Sequence, residues 1–112
     1  MAEQPLAERY RIISTKWREA DKRARYYKEN KSAVFSRMVM KTAEIEGDLP
    51  TNKLELKVRA SDAWAKWLEE MAEAVNEAAD LKEELTALKI EADDLTRRQI
   101  ESATERKYSR YS

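Results

Sequence analysis

Residues 6–46 read LAERYRIISTKWREADKRARYYKENKSAVFSRMVMKTAEIE, and this stretch decides the fold. Its apolar residues recur at alternating spacings of four and three, which lines side chains up along one side of an α-helix. Ten of the twelve positions in this seam are apolar. Such a seam predicts a long amphipathic helix that packs against a partner helix. The seam positions are Leu6, Tyr10, Ile13, Trp17, Ala20, Ala24, Tyr27, Lys31, Val34, Met38, Lys41 and Ile45.

A turn signal follows this helix directly. The only glycine of the chain, Gly47, is followed by Asp48 and Pro50. Glycine adopts the left-handed conformation that ends helices, and proline fits a first helical turn. We therefore expect a helix over 6–46, a turn over 47–50 and a second helix over 51–108, since no glycine or proline comes later. The second seam is predicted to contain Leu54, Val58, Ser61, Ala65, Leu68, Ala72, Val75 and Ala79, followed by Leu81, Leu85, Leu88, Ala92 and Leu95.

The composition agrees with an all-α fold. The chain is 42% hydrophobic and 39% charged, a balance typical of long helices with a narrow buried seam. No segment alternates as a strand does. We expect residues 1–112 to form a single helical domain that is cytoplasmic and does not bind membranes, because no long apolar span is present. The chain has no cysteine or histidine, which excludes zinc sites, thiol nucleophiles and imidazole bases, and we predict no catalytic residue, metal or cofactor.

Charge is strongly segregated along the chain, although the net charge is zero. Residues 9–31 contain nine basic and three acidic residues, a net charge of +6, and residues 69–94 contain ten acidic and two basic residues, a net charge of −8. If the chain folds back at residue 49, each residue of the first helix faces one whose number brings the sum to about 98. The basic segment then lies on the acidic one. This pattern predicts an antiparallel helical hairpin, a coiled coil.

Some apolar residues near the turn lie outside the two predicted seams. A pair of helices alone leaves such residues uncovered, so we expect two hairpins to associate as a homodimer in a four-helix bundle. Trp67 is predicted to point away from both seams and to contact a partner. The predicted interface residues are Phe35, Val39, Trp64, Trp67, Leu68, Met71 and Val75.

The C-terminal overhang, residues 96–112, carries cations without an acidic partner in the first helix. A nucleic acid, DNA or RNA, is a possible ligand, because cations neutralise phosphates. The alternative is an ordinary frayed chain end. Residues 9–31 also combine cations with aromatic rings, but those rings lie on the seam and the cations face the acidic segment. The candidate nucleic-acid contacts are therefore Arg97, Arg98, Arg106, Lys107 and Arg110.

An acidic pattern suggests a different, enzymatic function. Glu69-Glu70-x-x-Glu73 and Glu91-x-x-Asp94 resemble the EExxE and ExxD motifs of all-α nucleoside triphosphate pyrophosphatases, whose carboxylates hold magnesium. In that family the two motifs lie on different helices joined by a loop. Here nothing interrupts the predicted helix, so Glu70 and Asp94 would be about 36 Å apart. A solvated, salt-bridged helix face is the alternative, and we expect a protein that is not an enzyme.

The sequence contains Lys16-Trp17-Arg18-Glu19-Ala20-Asp21, a turn with Leu49-Pro50, and a charged helix that ends in an Arg-rich Ser/Thr segment. This layout resembles small helical proteins of unknown function that bacteriophages and prophages encode near replication and recombination genes. The resemblance implies no catalytic residues. It implies a protein-protein interaction role, such as an inhibitor that binds a host nuclease or defence protein. The alternative it implies is a nucleic-acid-binding accessory of phage DNA replication or recombination.

Overall fold

The computed structural model describes residues 4–109, with side chains through Lys107. Within this range the chain forms three helices and no strands, which confirms the all-α prediction: α1 is Leu6–Glu46, α2 is Thr51–Arg59 and α3 is Asp62–Ser109. The helices pack as two compact units. Unit 1 combines the chain up to Trp17 with the chain from Asp80 onward, and unit 2 is Arg18–Ala79. None of the described helices is both long enough and apolar enough to cross a membrane.

The turn between α1 and α2 is built by the predicted residues. Gly47 has a φ of 82°, and its N–H donates to the carbonyl of Ala43 at 2.9 Å, which is the left-handed helix ending that glycine permits. Pro50 stands immediately before α2 instead of inside its first turn. Its carbonyl accepts the N–H groups of Lys53 and Leu54. The turn therefore needs glycine for its backbone conformation, and proline costs no hydrogen bond there.

The prediction of a single helix over 51–108 is wrong, because the chain forms two helices there: α2 ends at Arg59 and α3 begins at Asp62. Ser61 forms the break. Its hydroxyl donates to the carbonyl of Val58 at 2.6 Å and accepts the N–H of Trp64 at 3.2 Å. The second bond is an N-cap, which satisfies one of the backbone donors left free at the start of a helix. Ser61 was predicted as a seam residue, and it acts instead as the cap of α3.

The break changes which residues of α3 are buried. Trp64, Ala74 and Ala78 are buried. The predicted seam residues Ala65, Ala72 and Ala79 are exposed, so that part of the seam prediction is wrong. The inward-facing positions advance in steps of three from Val58 through Ser61 to Trp64, which would overwind a continuous coiled-coil helix. The interruption at Ser61 absorbs this irregular spacing.

Unit 2 is an antiparallel hairpin that contains all the buried side chains among the described residues. Arg23 pairs with Glu77 at 3.6 Å, and the hydroxyl of Tyr27 donates to Glu70 at 3.4 Å. The numbers of Arg23 and Glu77 sum to 100, close to the predicted 98. In that register small residues of α1 face small residues of α3, which lets two helices approach closely. The buried residues are Ala20, Ala24, Leu54, Val58, Trp64, Ala74 and Ala78.

Unit 1 pairs the start of α1 with α3 in the same antiparallel sense. Arg9 bonds Glu91 at 3.0 Å, and the ammonium group of Lys82 lies 5.8 Å from the ring centre of Trp17. The pairing predicted from the charge pattern is thus present in each unit. Unit 1 differs from unit 2 in burial, because none of its described side chains is buried. Its apolar residues are at most half-buried, namely Leu6, Tyr10, Ile12, Ile13, Trp17, Leu81, Leu85, Leu88 and Ala92.

Candidate interaction surfaces

An aromatic cluster joins α1 to α3 in unit 2. The rings of Trp64 and Trp67 are stacked, with centroids 5.5 Å apart and planes 2° from parallel. Phe35 packs edge-on against Trp64 at 5.0 Å, and Tyr27 packs edge-on against Trp67 at 5.2 Å. Pairs of this kind contribute about 0.5–1.5 kcal/mol each beyond the apolar area that they bury. The cluster therefore fixes how α1 and α3 pack in this unit.

Two arginines close the ends of this cluster. The guanidinium of Arg59 lies 5.3 Å from the ring centre of Phe35, and that of Arg23 lies 5.7 Å from the ring centre of Tyr27. Both distances are within the range of a cation–π interaction. Arg23 also pairs with Glu77, so one side chain contacts both the aromatic cluster and α3. Both cations therefore already have partners within the chain.

Unit 2 uses several of the predicted interface residues for its own packing. Trp64 is only 7% exposed, so a second copy could not contact it without unpacking the cluster. The prediction that Trp67 points away from both seams is wrong, because its ring contacts Trp64 and Tyr27. Within α3, Trp67 comes three residues after Trp64 and four before Met71, and residues at these spacings share one face of a helix. The other five predicted residues, Phe35, Val39, Leu68, Met71 and Val75, are half-buried.

Charged residues recur every seven residues in the sequences of the two long helices, and we call this pattern the charge ladder. Its basic residues are Arg9, Lys16 and Arg23 of α1, and its acidic residues are Glu77, Glu84 and Glu91 of α3. Arg9 meets Glu91 and Arg23 meets Glu77, while Lys16 and Glu84 line one groove of unit 1. Such exposed pairs stabilise by only about 0.2–1 kcal/mol each, but they penalise wrong registers. Sequence reasoning used the summed charges and missed this seven-residue spacing.

Two grooves lie on unit 1, a charged groove and an apolar groove, and both are lined in part by Leu88. The charged groove, about 430 Å³, is lined by Gln4, Arg9, Ile12, Ile13, Lys16, Glu84, Ala87, Leu88 and Glu91. The apolar groove, also about 430 Å³, is lined by Leu6, Ala7, Tyr10, Leu88, Lys89, Ala92 and Asp93. In the charged groove, the buried Nε of Arg9 has no hydrogen-bond partner among the described residues.

The end of α3 is exposed on every side. Each described side chain from Asp93 to Lys107 is exposed, including Leu95 at 43% and Ile100 at 61%. Four candidate nucleic-acid contacts, Arg97, Arg98, Arg106 and Lys107, lie here and form no ion pair with another described residue. The fifth, Arg110, lies outside the described residues. The segment therefore presents cations and apolar side chains together.

The two acidic motifs both lie on α3, and no loop separates them. Their carboxylates take part in helix pairing. Glu70 accepts the hydroxyl of Tyr27, and Glu91 pairs with Arg9. Within the part of the chain that the structure describes, no group of three or more acidic residues is arranged to hold a metal ion. The two-helix arrangement of the pyrophosphatase motifs is thus not reproduced in the described residues.

Three kinds of surface are therefore available to a partner: the two grooves of unit 1, the half-buried flank of unit 2, and the exposed end of α3. Grooves between helices accept another amphipathic helix, because apolar side chains at spacings of three and four fill them. The chain matches no family model, no curated protein and no solved structure.

Proposed function

We propose that this protein is a non-enzymatic helical interaction protein that acts as a homodimer, in which two copies combine their helix pairs into a four-helix bundle. One observation carries the proposal. Unit 1 has a regular apolar seam, yet none of its described side chains is buried. Two helices cover only one side of each other, and the remaining apolar surface is normally covered by further helices.

The comparison with unit 2 supports this proposal. Unit 2 buries seven side chains and surrounds Trp64 with other aromatic rings. Unit 1 instead leaves a groove on each side of Leu88. Covering apolar surface stabilises by about 25 cal/mol for each Å² removed from water. A stable interface needs roughly 1,000 Å² or more in total, which two helix pairs can supply along their length. The terminal half is thus favoured over the turn-proximal half expected from the sequence.

A second protein is part of the proposal. The resemblance to phage-encoded helical proteins favours a host nuclease or a defence protein as that partner. Such a partner would bind a helical surface that the homodimer leaves open, and the half-buried flank with Leu68 and Val75 is one such surface.

Sedimentation equilibrium at micromolar concentration tests the homodimer. The intact chain should sediment as a dimer, and Leu88→Asp should dissociate it, because the change puts a carboxylate into both grooves. Thr86→Asp is the matched control, since Thr86 is exposed on the same helix and should leave the dimer intact. An intact chain that is fully helical but monomeric would rule the proposal out.

One observation favours a second function, nucleic-acid binding by the end of α3. Four of its described cations form no ion pair with another described residue, and all four are exposed. Two acidic residues, Glu101 and Glu105, lie between them, so the net charge over residues 95–107 is 4 − 2 = +2. A modest charge of this size predicts weak, salt-sensitive and sequence-independent binding.

A further inference from the structure

We infer that the second copy in the homodimer binds through α3, with the two α3 helices antiparallel and their ends overlapping about Leu95. In this arrangement the C-terminal segment of each copy, residues 95–107, lies against the acidic segment of the other, residues 80–94. The inference rests on the proposed homodimer and specifies its surface: the four helices of the dimer overlap three at a time, because the C-terminal segment of one copy lies beside α1 and α3 of the other.

The C-terminal segment needs a packing partner. It is regular α-helix, and all its side chains are exposed. Isolated helices of about 12–15 residues are marginal in water, because most helical stability in proteins comes from packing of an apolar face. Leu95 and Ile100 are large apolar side chains in this segment, and both are exposed. A second helix that covers Leu95 would supply packing that this segment lacks, whereas Ile100 lies about 140° away around the helix, on another face.

Charge complementarity selects a second copy as the occupant and sets its direction. The acidic segment has six acidic and two basic residues, a net charge of −4, and the C-terminal segment directly after it has a net charge of +2. An antiparallel overlap about Leu95 places opposite charges together twice, once for each copy, as a two-fold symmetric interface requires. A parallel overlap would place like charges together and is disfavoured.

Leu95 and the charged groove agree with the same axis. Leu95 is a large exposed apolar residue of unit 1, and it lies on the side of α3 that carries the groove residues Glu84 and Glu91. Ile90 and Ile100 lie about 140° from Leu95 around the helix, so they take no part in this contact. The charged groove lies beside the acidic segment and leaves the Nε of Arg9 without a described hydrogen-bond partner. The C-terminal segment carries two carboxylates that can accept from Arg9 and Lys16, namely Glu101 and Glu105.

Two full-length variants test this arrangement by charge reversal. The first carries Arg98→Glu and Arg106→Glu, and the second carries Glu84→Lys and Asp94→Lys. All four residues are exposed and form no ion pair with another described residue, so the fold of each copy should be retained, which circular dichroism checks. Each variant alone places like charges opposite each other at the reversed positions of both overlaps. Its dimer dissociation constant should rise at least tenfold in low salt.

An equimolar mixture of the two variants should restore dimerisation to near the wild-type dissociation constant. In the mixed dimer, the two new carboxylates of one copy's C-terminal segment face the two new lysines of the other copy, whose segment then has a net charge of 4 − 4 = 0, and the native charges meet at the other overlap. The control variant, Arg11→Glu with Lys22→Glu, reverses two exposed cations on α1 and should leave the dissociation constant unchanged.

The outcomes separate the inference from the proposed function. A monomeric wild-type chain would remove the homodimer itself. A wild-type dimer whose dissociation constant neither variant changes, or whose variants do not restore each other, would overturn the antiparallel α3 contact and leave the homodimer standing. If the first variant keeps the wild-type dissociation constant but loses a gel shift with a labelled DNA duplex, the segment is a nucleic-acid surface and the inference is wrong.

Discussion

The Ser61 hydroxyl both ends α2 and starts α3, so Ser61→Ala is the change that tests the break directly. The hydroxyl makes two bonds, one to the carbonyl of Val58 at 2.6 Å and one from the N–H of Trp64 at 3.2 Å. Replacing an N-cap serine by alanine costs about 1 kcal/mol, within a range of roughly 0.5–2 kcal/mol. The residue is half-buried, so water can replace the lost bonds only in part.

We expect Ser61→Ala to lower the free energy of unfolding by about 1 kcal/mol, which raises the unfolding equilibrium constant about fivefold. For a chain of this size the melting temperature should fall by roughly 4 °C. Ser61→Asn should retain most of the wild-type stability, because asparagine also caps helices well. Ser36→Ala removes a hydroxyl from an exposed position within α1 and should change the free energy by less than about 0.5 kcal/mol.

Urea unfolding followed by circular dichroism at 222 nm measures these values, at one fixed protein concentration because the proposed dimerisation would add to the apparent stability. The slope of the free energy against urea should stay constant across the variants. If Ser61→Ala is as stable as the wild type while Ser61→Asn is less stable, the hydroxyl does not cap α3, and the explanation of the break is wrong.

Three other measurements test separate parts of the structure. Trp64→Ala should lower the free energy of unfolding by about 3–5 kcal/mol, since it empties the centre of the aromatic cluster, whereas Trp64→Phe should lose clearly less; the same urea titration compares them. Gly47→Ala should cost about 1 kcal/mol through its φ of 82° alone, because a Cβ there meets nothing within 4 Å; an unchanged melting temperature would contradict this reason. If the end of α3 binds DNA, the logarithm of the binding constant should fall with the logarithm of salt concentration with a slope of about −3 to −4, for the four described cations. A shallower slope in a fluorescence anisotropy titration would leave fewer phosphates in contact.

The fold was largely predictable, because its determinants are local or periodic. Gly47 and Pro50 mark the turn through backbone conformations that few other residues adopt. The register followed from the separation of basic and acidic residues, and the pairing of Arg9 with Glu91 is two residues from the predicted sum. These signals need only the sequence order and the geometry of an α-helix.

The break before α3 was not predicted, for a physical reason. Ala60, Ser61 and Asp62 are all tolerated within helices, and neither glycine nor proline marks the site. A serine caps a helix only where the preceding helix is interrupted. Here the inward-facing residues Val58, Ser61 and Trp64 are spaced by three, which a continuous helix does not accommodate without overwinding. The direction predicted for Trp67 was wrong for a separate reason, since its spacing of three from Trp64 and four to Met71 already places it on their face of the helix. The interaction surfaces depended on those directions, so their positions could not be predicted equally well.

The even spacing of the charge ladder has a consequence for how the chain avoids misalignment. Because the charges of the ladder repeat every seven residues, basic residues meet acidic ones again when one helix slides past the other by seven residues. The ladder alone therefore does not distinguish the native alignment from one shifted by a heptad. The aromatic cluster is not periodic in this way, since Phe35 meets Trp64 and Tyr27 meets Trp67 only in one alignment. The charge pairs thus restrict the helix pairing to shifts of whole heptads, and the aromatic contacts select one of those shifts. With the ladder alone, a pairing shifted by seven residues would still keep two of the three charge pairs.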